Sequence, residues 1–287
     1  MSDAARGTAL GALAILSWGT LGALGASSAN LAPNLVLGLC FGIAAGIGGV
    51  LCLCRGIRLT PLWSTETLVS AMLLTVYHLS YLEAFHHAAA IPVSLINYLW
   101  PACLIVIGNL FFRLNSGWPG YLGAATGFVG VALLIGRDGF TLKASDATGY
   151  GLAFLGAVFW GTYSNLRRRA RFDGIGSMVT ICVLSAALCL FVSAVSGEDF
   201  TPLTSRDLLV ILLLGLGPAG GAFFLWDIGM RRGSATLLSI LGYSAPVLST
   251  VLMVALGLGS PSWNMVAAVL LITLGGVIVQ GGQRGTP

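Results

Sequence analysis

Apolar runs of about twenty residues, cut by short polar punctuation, follow one another along this chain. A run of that length crosses the ~30 Å hydrocarbon core of a bilayer as a single helix. Ten are expected, over residues 8–26, 34–54, 66–84, 89–112, 118–136, 148–166, 175–195, 206–226, 234–257 and 262–281. Only 8% of the 287 residues are charged, against roughly 25% in a soluble domain. Too few charges remain to cover a water-exposed surface, so lipid must cover most of the outside and the fold class is an all-α membrane protein. The 40 glycines then read as close helix contacts and not as loops.

The net charge of +4 is spread over short clusters between runs, with no basic domain, so no nucleic-acid partner is expected. Arg6 and the run 8–26 resemble a signal peptide, but further runs follow and a retained first helix is expected. The six cysteines lie in or beside apolar runs, and Cys52-Leu53-Cys54 has no partner cluster of the kind a zinc site needs. They read as buried small apolar residues.

Lys and Arg placement sets orientation. With a cytoplasmic N-terminus, one side holds Arg6, Arg55, Arg58, Arg113, Arg167, Arg168, Arg169, Arg171, Arg231, Arg232 and Arg284, and the other holds Arg137, Lys143 and Arg206. That excess requires an even number of spans and puts both termini in the cytoplasm of a bacterial inner-membrane protein. The Arg167–Arg171 cluster reads as the strongest topology determinant.

Two anchors recur. Ser17-Trp18-Gly19-Thr20 matches Phe159-Trp160-Gly161-Thr162 at an offset of 142, and Ser94-x3-Tyr98-x2-Pro101 matches Ser239-x3-Tyr243-x2-Pro246 at an offset of 145. The expected organisation is therefore two five-helix repeats, 1–140 and 147–283, in one membrane domain. An odd number of helices per repeat inverts the second copy, an architecture typical of carriers that hold substrate near the midplane between halves.

Serine, tyrosine and proline at i, i+4 and i+7 share a helix face, and a polar stripe avoids lipid. That face either lines a cavity or makes interhelical hydrogen bonds with a kink at each proline. Tryptophans and tyrosines divide likewise. Trp63, Trp118, Tyr121, Tyr150 and Trp263 sit near run ends, as an interfacial belt does. The inner ones suit a substrate with an apolar or aromatic side chain and a small polar head, or serve as packing. His78 is the one ionisable group deep in a run, either as a substrate or proton site or as a structural histidine. The expected substrate-binding set is Trp18, Tyr77, His78, Tyr81, Ser94, Asn97, Tyr98, Trp100, Trp160, Tyr163, Ser239, Tyr243 and Ser244, with Pro101 and Pro246 as hinges.

No Asp, Glu, Lys or Arg lies at mid-run. Sugar phosphates would want a buried cation, and drug/proton exchange a buried carboxylate, so a neutral or zwitterionic substrate fits better. Obligatory proton exchange is not expected. The sequence carries no phosphate loop, metal cluster or nucleophile–base pair, so neither an enzyme nor a cofactor or metal is expected.

These residues resemble the drug/metabolite transporter superfamily of EamA type: paired five-helix halves, tryptophan-glycine in the first helix of each, and Pro101 and Pro246 in the fourth. Ile96-Asn97-Tyr98-Leu99-Trp100-Pro101 is similar to the YddG-type aromatic amino acid exporters among them. The resemblance implies a helical basket around a central cavity, exporting amino acids, with the bilayer and a small-molecule substrate as partners. A monomer is expected. Export of another metabolite or a cationic drug remains an alternative. So does, in a different class, a membrane sensor or assembly subunit, although no soluble output domain is visible.

The Lys/Arg distribution makes a direct prediction. Reporter fusions at Arg284 and near Arg171 should report the cytoplasm, and one near Lys143 the periplasm. A periplasmic signal at Arg284 would overturn the ten-span topology.

Overall fold

The structure is a computed structural model. It describes residues 2–113, 117–135, 144–167, 169–171, 174–198, 202–233, 238, 241–242 and 244–283. Among these, all regular structure is helical: α1 (Asp3–Gly19), α2 (Leu21–Ser27), α3 (Pro33–Arg55), α4 (Thr65–His87), α5 (Ala90–Asn97), α6 (Trp100–Phe112), α7 (Gly117–Ile135), α8 (Ala144–Arg167), α9 (Gly174–Val195), α10 (Ser205–Leu216), α11 (Gly221–Arg232), α12 (Ala245–Ala255) and α13 (Trp263–Gln283). Six stretches among the described residues are long and apolar enough to cross a bilayer: Asp3–Ser27, Pro33–Arg55, Thr65–His87, Ala90–Phe112, Gly174–Val195 and Ser205–Trp226.

Helix ends follow local chemistry. Ser2 and Ser64 accept from the backbone N–H groups of Ala5 and Thr67, and Thr204 and Asp207 form a reciprocal capping box. Gly56, at φ 62°, ends α3, and Ile57 N–H reaches back to the Cys52 carbonyl at 2.9 Å. Large apolar side chains cover the outside, among them Leu53 at 84% exposure and Phe111 at 76%. In water such a surface would aggregate, whereas in lipid it is ordinary. Trp63, Trp118 and Trp263 are also exposed, at or beside helix ends, as an interfacial belt requires.

Four expected spans are interrupted, and the sequence reading places only two of the interruptions. The run 8–26 breaks at Thr20, whose N–H and hydroxyl both bond the Ser17 carbonyl, at 2.9 and 2.7 Å. This local competition for a carbonyl bends a helix without proline. The run 206–226 breaks between Leu216 and Gly221 and continues to Arg232. Pro218 brings no N–H, so the Leu214 carbonyl is taken by Ala219 N–H at 2.9 Å and the Gly217 carbonyl by Ala222 N–H at 2.9 Å, a wide turn. The expected hinges Pro101 and Pro246 are the second residues of α6 and α12, so these breaks lie just before them. Pro101 denies a donor to the Asn97 carbonyl, and α5 stops at Asn97.

The helices pair tightly as α1 with α11, α3 with α9, α4 with α8, and α7 with α13. Small residues let backbones touch. A Cβ on Gly229 would stand 2.6 Å from Gly11 Cα, and one on Gly233 would stand 2.5 Å from Thr8 N. On the α4–α8 pair, a Cβ on Gly149 would stand 2.6 Å from Ala88 Cβ and 3.0 Å from the Ala84 carbonyl oxygen. On the α7–α13 pair, a Cβ on Gly275 would stand 2.4 Å from the Gly123 carbonyl oxygen, and one on Gly130 would stand 2.9 Å from Leu271 Cβ.

Glycines without such neighbours give the control. At Gly46, on the exposed side of α3, an added Cβ would meet nothing within 4 Å. Gly229→Ala should lower stability by about 1–3 kcal/mol through overpacking. Gly46→Ala should leave it unchanged or raise it by up to ~1 kcal/mol through helix propensity. Thermal unfolding of the two variants in detergent checks this, and equal midpoints would contradict a backbone-to-backbone contact at Gly229.

Candidate functional site

The breaks bring aromatic residues together. Trp160, in the C-terminal half of α8, touches five rings from four other helices and its own: Trp18 of α1 at 6.3 Å between centroids, Tyr77 of α4 at 5.0 Å, Trp100 of α6 at 6.3 Å, Phe223 of α11 at 5.6 Å, and Tyr163 at 5.3 Å in a stacked arrangement. Trp18 also meets Trp226 at 5.1 Å and Phe223 at 6.1 Å. Tilted and edge-on pairs such as these add roughly 0.5–1.5 kcal/mol each beyond area burial. Tyr77, Tyr163 and Phe223 are buried, while Trp18, Trp100, Trp160 and Trp226 keep partial exposure.

His78 lies beside this cluster at 1% exposure, with Tyr77, Phe41 and Phe223 rings at 4.4, 5.3 and 5.6 Å. Its Nδ1 lies 2.9 Å from the Leu74 carbonyl oxygen. A carbonyl only accepts, so Nδ1 carries the hydrogen and neutral His78 presents Nε2 as a bare acceptor. That atom is buried and has no protein partner. Among the residues whose side chains are described, no Asp, Glu, Lys or Arg residue is fully buried, although the Glu198 Oε2 oxygen is enclosed.

Trp18, Tyr77, His78, Trp100, Trp160 and Tyr163 thus form one cluster. Asn97 adjoins it: its Oδ1 and the Tyr77 ring both lie within 4 Å of a Cβ position on Gly156, and that Oδ1 has no partner. Tyr81, Ser94 and Tyr98 form a second group whose hydroxyls are engaged with protein. Tyr81 donates to Ser94 at 3.2 Å, and the Ser94 and Ser249 hydroxyls meet at 3.2 Å. The Tyr98 hydroxyl lies 3.2 Å from the Ala245 carbonyl oxygen and 3.4 Å from that of Trp18. Tyr98 itself follows α5, so from one helix break its hydroxyl reaches two others. Ser244 bonds the Leu241 carbonyl at 2.6 Å. Ser239 and Tyr243 lie outside the described residues.

Phe41, Phe223 and Trp226 were absent from the expected set. The offset of 145 carries His78 onto Phe223 and Tyr81 onto Trp226, so extending the repeat register upstream of Ser94 finds two of them. Phe41 has no comparable signal.

Comparison with known proteins now decides the family. A protein of Ancylobacter novellus named aromatic amino acid exporter YddG is 34% identical over 280 residues, covering 94% of this chain and 96% of that one. The chain belongs to the EamA-like transporter family. Residues 147–280 match the family directly. An Escherichia coli protein of the same name is 27% identical, covering 95% of this chain and 96% of its own length. A crystal structure 34% identical to this chain superposes with a TM-score of 0.75, covering 97% of this chain and 99% of that one. The protein is a multi-pass membrane transporter by family.

The Tyr98 hydroxyl gives a local prediction. Tyr98→Phe removes one hydrogen bond worth about 1 kcal/mol, so backbone amides flanking the breaks at Thr20 and Ser244 should exchange hydrogen roughly fivefold faster. Unchanged protection at both would mean that the hydroxyl does not hold the breaks.

Proposed function

We propose that this EamA-like transporter exports aromatic and other neutral amino acids across the bacterial inner membrane by alternating access. The observation that carries the reading is the Trp160 cluster. Rings from five helices surround a place where the described side chains supply no charge but offer unpaired acceptors, His78 Nε2 and, adjoining it, Asn97 Oδ1. An aromatic side chain can stack among the rings. An α-ammonium group can donate to Nε2 and face the rings, an attraction of about 2 kcal/mol when desolvated. Indole N–H and phenol O–H groups can meet the carboxylate. Each contribution is small, which suits a carrier that must also release its substrate. The names of the relatives support the same substrate class.

The architecture proposed is ten spans in two inverted repeats, 1–140 and 147–283, with both termini cytoplasmic. The close contacts support it. Gly7 against Gly233 has its counterpart, at offsets of 142 and 145, in Gly149 against Ala88. Gly130 and Gly275, 145 apart, each press on the other's helix. Reciprocal contacts of this kind are what a twofold relation produces.

Counterflow of labelled phenylalanine in proteoliposomes tests the function. Neutral aromatic amino acids should compete and sugar phosphates should not. Exchange should proceed without a pH gradient and survive an ionophore, since the sequence places no carboxylate in the middle of an apolar run. Trp160→Ala should lower the rate at least tenfold at an unchanged membrane level. Failure of aromatic amino acids to compete would end this reading, and uphill accumulation driven by an imposed pH gradient would end the uncoupled one.

A further inference from the structure

The Ser94–Ser249 contact joins two short half-helices. α5 has 8 residues and ends at the Tyr98 break, and α12 has 11 and begins after Ser244. Both serine side chains are fully buried, as is Tyr81, which donates to Ser94. A third half-helix, the 7-residue α2, presses on the pair. A Cβ on Gly22 would stand 2.6 Å from Ser94 Oγ and 2.7 Å from Ser249 Oγ. Further along, a Cβ on Gly25 would stand 2.7 Å from the Phe85 ring, and one on Gly259 would stand 2.4 Å from Ile91. At these three positions no space remains for a methyl group.

We propose that Gly22, Ser94 and Ser249 form a gate, which shuts the α2 end of the bundle and parts when that end opens. The proposal rests on the carrier reading above. Two features separate this contact from permanent packing. The three elements are short and bounded by breaks at Thr20, Tyr98 and Ser244, so each can swing as a unit without unwinding a long helix. Midway along the half-helices the bond between them is one hydroxyl pair, joined at the breaks by the Tyr98 hydroxyl on the Ala245 carbonyl, and such bonds between membrane helices average about 0.6 kcal/mol with a maximum near 1.7. It is directional enough to set the closed register and weak enough to break in each cycle. The glycine makes the closed state sensitive to bulk, because a methyl at Gly22 would displace both hydroxyls.

The test uses the full chain with its six native cysteines replaced. Ser94→Cys with Ser249→Cys should form a disulfide on oxidation with copper phenanthroline, since the hydroxyls stand 3.2 Å apart. Counterflow of labelled phenylalanine should fall at least tenfold relative to the same protein reduced, and dithiothreitol should restore it. Failure to cross-link, or equal rates in the two forms, would overturn the gate. A second readout needs no substrate. With Met253→Cys as reporter, buried beside Gly22, Ser249→Ala should speed labelling by an impermeant maleimide at least threefold, and Gly22→Ala should do the same. Unchanged labelling in both overturns the gate whatever the protein transports. A reduced protein that carries no aromatic amino acid, with labelling still accelerated, would instead count against the exporter reading alone.

Discussion

A backbone carbonyl without a donor costs several kcal/mol in hydrocarbon, yet four helices of this protein are interrupted partway. That constraint orders the rest of the structure. Three of the breaks show another group taking over the bonding: the Thr20 hydroxyl on Ser17, Ala219 N–H on Leu214, and the Ser244 hydroxyl on Leu241, while the Tyr98 hydroxyl, from the fourth break, lies within reach of the Trp18 and Ala245 carbonyls beside two of the others. Substitutes of this kind exist only where several helices meet, so the breaks gather inside the bundle. The Cβ position on Gly217, in one break, lies 3.1 Å from Ser17 Oγ, beside another. The large rings next to these breaks then find one another around Trp160.

The unbroken helices supply the opposite property. α3, α4, α8 and α9 run over 22 to 24 residues each, and glycine and alanine seat α8 against α4 with backbone contact. Long helices locked at small residues resist sliding. Short half-helices held by hydroxyls do not. The bundle thus contains a stiff part and a divided part, and the ring cluster lies where they join.

Much of this was legible in the sequence. Run length and scarce charge point to an all-helical membrane chain; the inner aromatics and the one ionisable residue deep in a run point to Trp18, Tyr77, His78, Trp100, Trp160 and Tyr163, which do meet. Two things were hidden. The Thr20 break arises from a hydroxyl competing for one carbonyl, and nothing in an apolar run marks which threonine will do so. The role of Ser94 depends on Ser249, 155 residues away and off the repeat register, so only the folded chain reveals the pair. The Pro218 break was more accessible, since Gly217-Pro218-Ala219-Gly220-Gly221 carries a missing donor and four residues with little or no side chain.

The ring cluster has one further consequence, for how such a protein can change over evolutionary time. Its members meet mainly through ring faces and edges, contacts with no fixed donor or acceptor. Exchanging Trp18, Trp160 or Phe223 for another ring, or for leucine, reshapes the interior and breaks no hydrogen bond described above. The same exchange at Gly229 or Gly149 would force two backbones apart. If the rings line the substrate site as proposed, selection can retune what it accepts by single substitutions among them while the helix contacts stay fixed, and divergence between related carriers should concentrate in the rings rather than at the small residues that hold the helices together.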